Sequence, residues 1–212
     1  MKAPGPWMMA ATTAIAAVGV FVVRGRHRRL GASLKEVTDR RPGDELLVGP
    51  VVQADRACTI DAAPEAVWPW IAQLGQDKAG FYSFELLENL VGCRITGSER
   101  VHPEWQKLHV GDPFRLHPRV ALRVASVEPG RHLVVTSQGG DAPGNADFDM
   151  TWAFCLSSPE GLGGRPTTRL HLRERYAAHR RADRFGGGFM SVVSAVMTWR
   201  MMARLRTLVP RA

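Results

Sequence analysis

Residues 56–75 read RACTIDAAPEAVWPWIAQLG, and the change of rhythm inside them decides the fold. Ala54–Ile60 has the composition of a strand, and Asp61-Ala62-Ala63-Pro64-Glu65 closes it. Asp61 is placed to cap a helix whose first turn holds Pro64 and Glu65. Val67, Trp68, Ile71 and Leu74 then form an apolar stripe at helical spacing. Gly75 and Gly80 interrupt that helix, and FYSFELLENLVG (81–92) is expected to resume it as far as Gly92.

Downstream of about residue 100 the period drops to two. Phe114 and Leu116 alternate with Arg115 and His117, and Val120, Leu122 and Val124 alternate with Ala121, Arg123 and Ala125. Glu128-Pro129-Gly130-Arg131 predicts a tight turn into Leu133–Ser137. Met150, Trp152, Phe154 and Leu156 alternate with Thr151, Ala153 and Cys155. The last strand sets Leu170, Leu172, Glu174 and Tyr176 on one face, and Arg169, His171, Arg173 and Arg175 on an opposite face expected to be wet. A helix from about Asp183 to Leu208 closes the chain, and its stretch Phe189–Trp199 is apolar almost all round. The fold class is therefore α+β: a curved antiparallel β-sheet wrapped around a long C-terminal α-helix, which buries both apolar faces economically.

Those words of sequence, together with PEWQKLHVGDPFRLHP (103–118), VASVEPGRHLVV (124–135), DMTWAF (149–154) and LRERY (172–176), resemble the START-like superfamily, also called SRPBCC or helix-grip. The polyketide cyclase/dehydrase-like branch is the most similar, over about residues 50–210. The resemblance implies a cavity between sheet and long helix. It does not imply a reaction, because carriers, ligand sensors and aromatase/cyclases share the fold.

The formal net charge of +8 is unevenly spread. Residues 1–41 carry eight basic side chains against Glu36 and Asp39, a net of +6, which leaves +2 for the remainder. No nucleic-acid partner is expected, since the basicity belongs to one segment and no recognised module or aromatic platform accompanies it. Trp7–Val23 contains no charge and is followed at once by RGRHRR (24–29). This reads as one N-terminal transmembrane helix held by arginines on the cytoplasmic side. A cleaved signal peptide is the rival, but only Lys2 precedes the apolar run and no small-x-small site precedes Arg24. The expected organisation is an anchor over 1–23, a basic juxtamembrane linker over 24–49, broken by Arg41-Pro42-Gly43-Asp44, and a ligand-binding domain over 50–212. Residues from 42 onward hold the whole sheet-and-helix pattern and are expected to fold without the rest. The expected location is the cell membrane, single-pass, with the soluble domain cytoplasmic and membrane lipids contacted through the helix and the linker. The arginines near the last helix, Arg200, Arg204 and Arg206 among them, suit either a solvated face or lipid headgroups.

No GxSxG, Walker, GxGxxG or HExxH pattern occurs, and the histidines lack metal spacing, so neither a metal nor a cofactor is expected. Cys58, Cys93 and Cys155 show no framework spacing and read as separate buried thiols. Gly186-Gly187-Gly188 offers either a joint in the last helix or, less simply, exposed amides at a helix start. The candidate ligand-binding residues are Tyr82, Glu85, Asn89, Trp105, Trp152, Glu174, Tyr176, Val193 and Met197. Glu174 follows Leu170 and Leu172 inward, where a carboxylate needs a partner such as Arg56 or Arg200. Binding or transfer of a hydrophobic, lipid-like or polyketide-like molecule leads. The alternatives are a cyclase/dehydratase-type enzyme using Glu174 and Tyr176 for proton transfer, and a tethered adaptor with a collapsed cavity.

Overall fold

The strict alternation of Leu170 to Tyr176 makes one strand, β6 (Thr168–Tyr176), and the remaining strands assemble around it. The computed structural model describes residues 25–49, 52–90, 92–139, 149–158, 166–177 and 181–211, with only the backbone of 87 and 181–190. The other strands are β1 (Val52–Ile60), β2 (Pro113–His117), β3 (Val120–Glu128), β4 (His132–Thr136) and β5 (Met150–Ser157). All neighbours are antiparallel in one sheet of order β1-β6-β5-β4-β3-β2, so the first and last strands in sequence lie side by side. Register shifts between Arg115 and His117 and between Val124 and Ser126 bend the sheet at its β2–β3 end.

The helices are α1 (Leu34–Thr38), α2 (Pro64–Ala72), α3 (Glu85–Leu90) and α4 (Arg181–Leu208). The stripe on α2 is buried as its spacing predicts, with Val67, Trp68 and Ile71 at most 9% exposed and Leu74 at 1% just beyond it. Its N-cap is Ala63 and not Asp61, which stands two residues too early for its carboxylate to reach the first-turn amides. The second short helix begins at Glu85 rather than Phe81, because Gly80 and Tyr82 turn the chain with φ of +71° and +52°. A side chain at Gly80 would run into Ile95, so the turn there needs glycine.

Sheet and helices close over one core. Met150, Trp152, Phe154, Leu156, Leu170, Leu172 and Tyr176 face Met201, Met202 and Leu205 of α4 across it. Helix α4 is not apolar-buried all round as expected. Ser191, Ala195, Thr198, Met202 and Leu205 form its buried stripe, whereas Val193, Val196 and Trp199 are 39%, 50% and 56% exposed, since the sheet covers only one side. The glycine triplet lies inside α4 and not at its start, so amides free for a phosphate are not available there.

The outer face of β6 is not wet. His171 and Arg173 are 2% and 3% exposed, because the segment expected to be a linker folds across them. Ser33 and Glu36 form a capping box that starts α1. Glu36 then takes a two-pronged ion pair from Arg169, 2.7 and 2.8 Å long. Those hydrogen bonds, against the opposing effect of burial, hold the Glu36 carboxyl down to about 2. Arg173 donates to the backbone carbonyls of Glu36, Val37 and Asp39 and to the carboxylates of Asp44 and Asp55. Gly43 sits against Val134, with Leu46 packing on Val134, Ala153 and Cys155. Residues 25–49 are thus a strap: 25–31 follow the free edge of β1, where the Ala57 amide donates to the Leu30 carbonyl, and 33–49 cross the outer face, so the linker assignment is corrected for them. Among the described residues no helix is long and apolar enough to cross a membrane; Trp7–Val23 lies outside them.

Candidate functional site

On the inner face the register pairs Glu174 with Ala54 of β1 and with Trp152 of β5, and Arg56 sits opposite Leu172. Side chains two apart on a strand share a face, so Arg56, Glu174 and Tyr176 converge under α4. Arg56 is wholly buried and Glu174 is 1% exposed; the guanidinium Nη1 lies 2.7 Å from Glu174 Oε1. Arg56 Nη2 donates to the Ser191 carbonyl at 3.1 Å, which ties β1 to α4. Tyr176 donates its hydroxyl to Glu174 Oε2 at 3.0 Å, and Ser194 donates to Oε1, with Thr198 3.5 Å from the same oxygen. Burial, and then the charge of Glu174, push the Tyr176 phenol well above its usual range, so it remains a donor.

Three polar atoms beside this cluster are buried without a hydrogen-bond partner among the described residues: Arg56 Nε, Ser191 Oγ and Trp152 Nε1. Two of them are pure donors, which an acceptor oxygen would satisfy. The walls nearby are aromatic, with Trp152 packed on Phe81 and Phe154 at centroid distances of 6.2 and 4.5 Å and on Phe114 at 6.3 Å. The arrangement is therefore apolar with one polar end, and that end offers N–H groups.

Other sequence candidates separate from it. Tyr82 is buried and belongs to a second network, in which Gln73, wholly buried, donates to the Tyr82 hydroxyl at 2.7 Å and to the Arg100 carbonyl at 3.0 Å. Trp105 stacks on His102 at 4.1 Å and lines a different cleft of about 430 Å³ with Ser98, Glu99 and Arg100. Glu85 and Asn89 lie on the exposed face of α3, although Asn89 also exchanges two hydrogen bonds with the Ile95 backbone. Val193 is on the exposed side of α4, and Met197 is half-buried with Ser83 donating to its carbonyl. Only Trp152, Glu174 and Tyr176 of the nine share the inner polar cluster.

Sequence reasoning missed Ser191, Ser194 and Thr198, whose spacing of three and four marks one face of a helix. It also missed Glu88, which is 6% exposed with both carboxylate oxygens unpartnered among the described residues. Burial, and secondarily the charge of Glu85, raise the Glu88 carboxyl to about 7. The folded protein therefore holds a proton there that the unfolded chain releases at its ordinary value near 4.5, and stability falls as pH rises between those values. Glu88→Gln is expected to leave the unfolding midpoint unchanged at pH 4.5 and to raise it at pH 8, measured by urea titration at both. An equal effect at both values would refute the titration.

No family model matches the chain, and no curated protein is significantly similar to it. Solved structures are similar in part. A protein from Mesorhizobium loti is 19% identical with a TM-score of 0.37, over 74% of this chain and 96% of that one. A protein from Arthrobacter aurescens is 14% identical with a TM-score of 0.41, over 74% and 87%. The Aha1 dimer from Colwellia psychrerythraea is 12% identical with a TM-score of 0.35, over 73% and 98%. Likeness at this level leaves the family unassigned.

Proposed function

We propose that the chain is a membrane-tethered START-like protein that holds a neutral, apolar small molecule between the sheet and α4, with an acceptor oxygen of that molecule at the Arg56–Glu174–Tyr176 cluster. The observation that carries this reading is the set of buried donors left over once the cluster has satisfied itself, Trp152 Nε1 and Arg56 Nε above all. A buried donor without an acceptor costs about 1–3 kcal/mol, and a bound carbonyl or hydroxyl removes that cost. The sequence words shared with START-like proteins and the antiparallel sheet closed by a long C-terminal helix support it. The uncharged Trp7–Val23 followed by arginines supports the tether and a cytoplasmic domain.

The geometry favours binding over catalysis. Glu174 has its charge committed to Arg56 at 2.7 Å and accepts from the hydroxyls of Tyr176 and Ser194, so it is poorly placed to take a substrate proton. The full-length protein, purified in detergent and examined by native mass spectrometry, is expected to carry one extractable apolar molecule containing a ketone, ester or hydroxyl group. A bare protein mass from cells making the protein at native levels contradicts the reading.

A further inference from the structure

Across the sheet from Glu174, the strap and β1 enclose a second pocket of about 280 Å³, lined by Gly25, Arg26, Arg28, Arg29, Val37, Gln53 and Asp55. Gln53 and Asp55 alternate with Ala54 and Arg56, so they point to the outer face. Gly25, at φ +64°, turns the chain into the single 3₁₀ turn Arg26–Arg28, which brings three guanidinium groups to one mouth. Among the described residues none of these three arginines has a carboxylate within ion-pair distance, although Arg41, Arg169, Arg173 and Arg175 of the same face all do.

The one carboxylate in the lining is already spent. Asp55 receives Arg173 Nε at 2.7 Å and Gln53 Nε2 at 2.8 Å, with His171 Nε2 at 3.1 Å. It neutralises Arg173 and, among the described residues, leaves the +3 of the mouth uncompensated. Among the described residues Arg28 Nε is moreover buried and without a partner, whereas arginines that served only to mark the cytoplasmic side of a membrane would keep their nitrogens in water.

We infer that this three-arginine pocket is a binding site for a phosphate group, either on a phospholipid headgroup or on a small soluble phosphate compound. Guanidinium forks match phosphate oxygens two at a time, and several around one anion give charge-assisted bonds that a single exposed arginine cannot. The volume is at the small end of ligand pockets, about 300–1,000 Å³, which fits a headgroup and excludes acyl chains. The site shares no lining residue with the inner cluster, so it stands or falls separately from the proposed function.

Full-length protein in an uncharged detergent at low salt, titrated calorimetrically with inorganic phosphate and separately with short-chain phosphatidylglycerol, tests this. One-site binding is expected, weakening as salt is raised. It should weaken at least tenfold in Arg26→Gln/Arg29→Gln, whose residues are exposed, and disappear when Arg28→Gln is added. Tighter binding of the lipid identifies a headgroup site, and equal binding identifies a soluble phosphate site. Absence of one-site binding by both probes, or binding unchanged in the Arg26→Gln/Arg29→Gln protein, overturns the inference.

Discussion

Replacing Glu174 by leucine is expected to destabilise the protein by about 3–5 kcal/mol, the cost of stranding a buried charge. The stranded charge is Arg56, which is wholly buried and, among the described residues, keeps only its bonds to the Ser191 carbonyl and the Ser194 hydroxyl. Arg56→Met should cost a similar amount by stranding Glu174, which would retain only hydroxyl donors from Tyr176, Ser194 and Thr198. The double variant Arg56→Met/Glu174→Leu should recover most of the loss, since an apolar pair of similar volume needs no desolvated charges. Urea unfolding of the four proteins closes the cycle. Additive losses would mean that the two charges do not meet. The recovered double variant should nevertheless bind its small molecule poorly, which separates the role of the pair in binding from its role in folding.

The second large effect is expected from shortening the chain. A protein beginning at Gly25 keeps the strap and should unfold cooperatively, whereas one beginning at Pro42 should not. The shorter chain loses Glu36 from Arg169, and it strips from Arg173 the carbonyls of Glu36, Val37 and Asp39. Hydrogen bonds to a charged group contribute about 1.5–3 kcal/mol each, so the total loss is on the order of 5 kcal/mol or more. Small domains have about 5–15 kcal/mol in all. A chain from residue 42 that melts cooperatively at the same temperature as the chain from 25 would show that the strap adds nothing. The expectation that residues from 42 onward suffice is revised accordingly.

Why the strap was illegible is instructive. Alternation in β6 assigns each side chain to a face, but it cannot say what covers that face, and four basic or titratable residues in a row of odd positions look solvated. Basic residues followed by Arg-Pro-Gly-Asp resemble a linker in composition. The one local signal was Ser33-x-x-Glu36, the capping-box spacing, which marks the start of a helix however short. By contrast β1, α2 and the β3–β4 hairpin were legible because each has a clean period or a turn of fixed chemistry. Helix α3 was legible as a helix but not in its start or its buried side, since Gly80 and Tyr82 delay it to Glu85, and Leu86 and Leu90 are about 80% exposed while Glu88 is buried. In the site, periodicity placed Glu174 and Tyr176 inward, and the need to pair a buried carboxylate pointed to Arg56 or Arg200, of which Arg56 meets Glu174 and Arg200 is exposed. The serines and threonine of α4 were overlooked because small polar residues on an apolar helix resemble neutral spacers until a charge is found opposite them.

The most direct test of the central claim is the Trp152 indole N–H. Six tryptophans give six indole signals in a ¹⁵N correlation spectrum, and Trp152→Phe assigns the one of interest. Titration of delipidated full-length protein with a long-chain methyl ketone should shift the Trp152 signal downfield in a saturable way, while Trp105 and Trp199 stay still. A Trp152 signal that does not move while Trp105 or Trp199 does would place the ligand elsewhere and contradict the account.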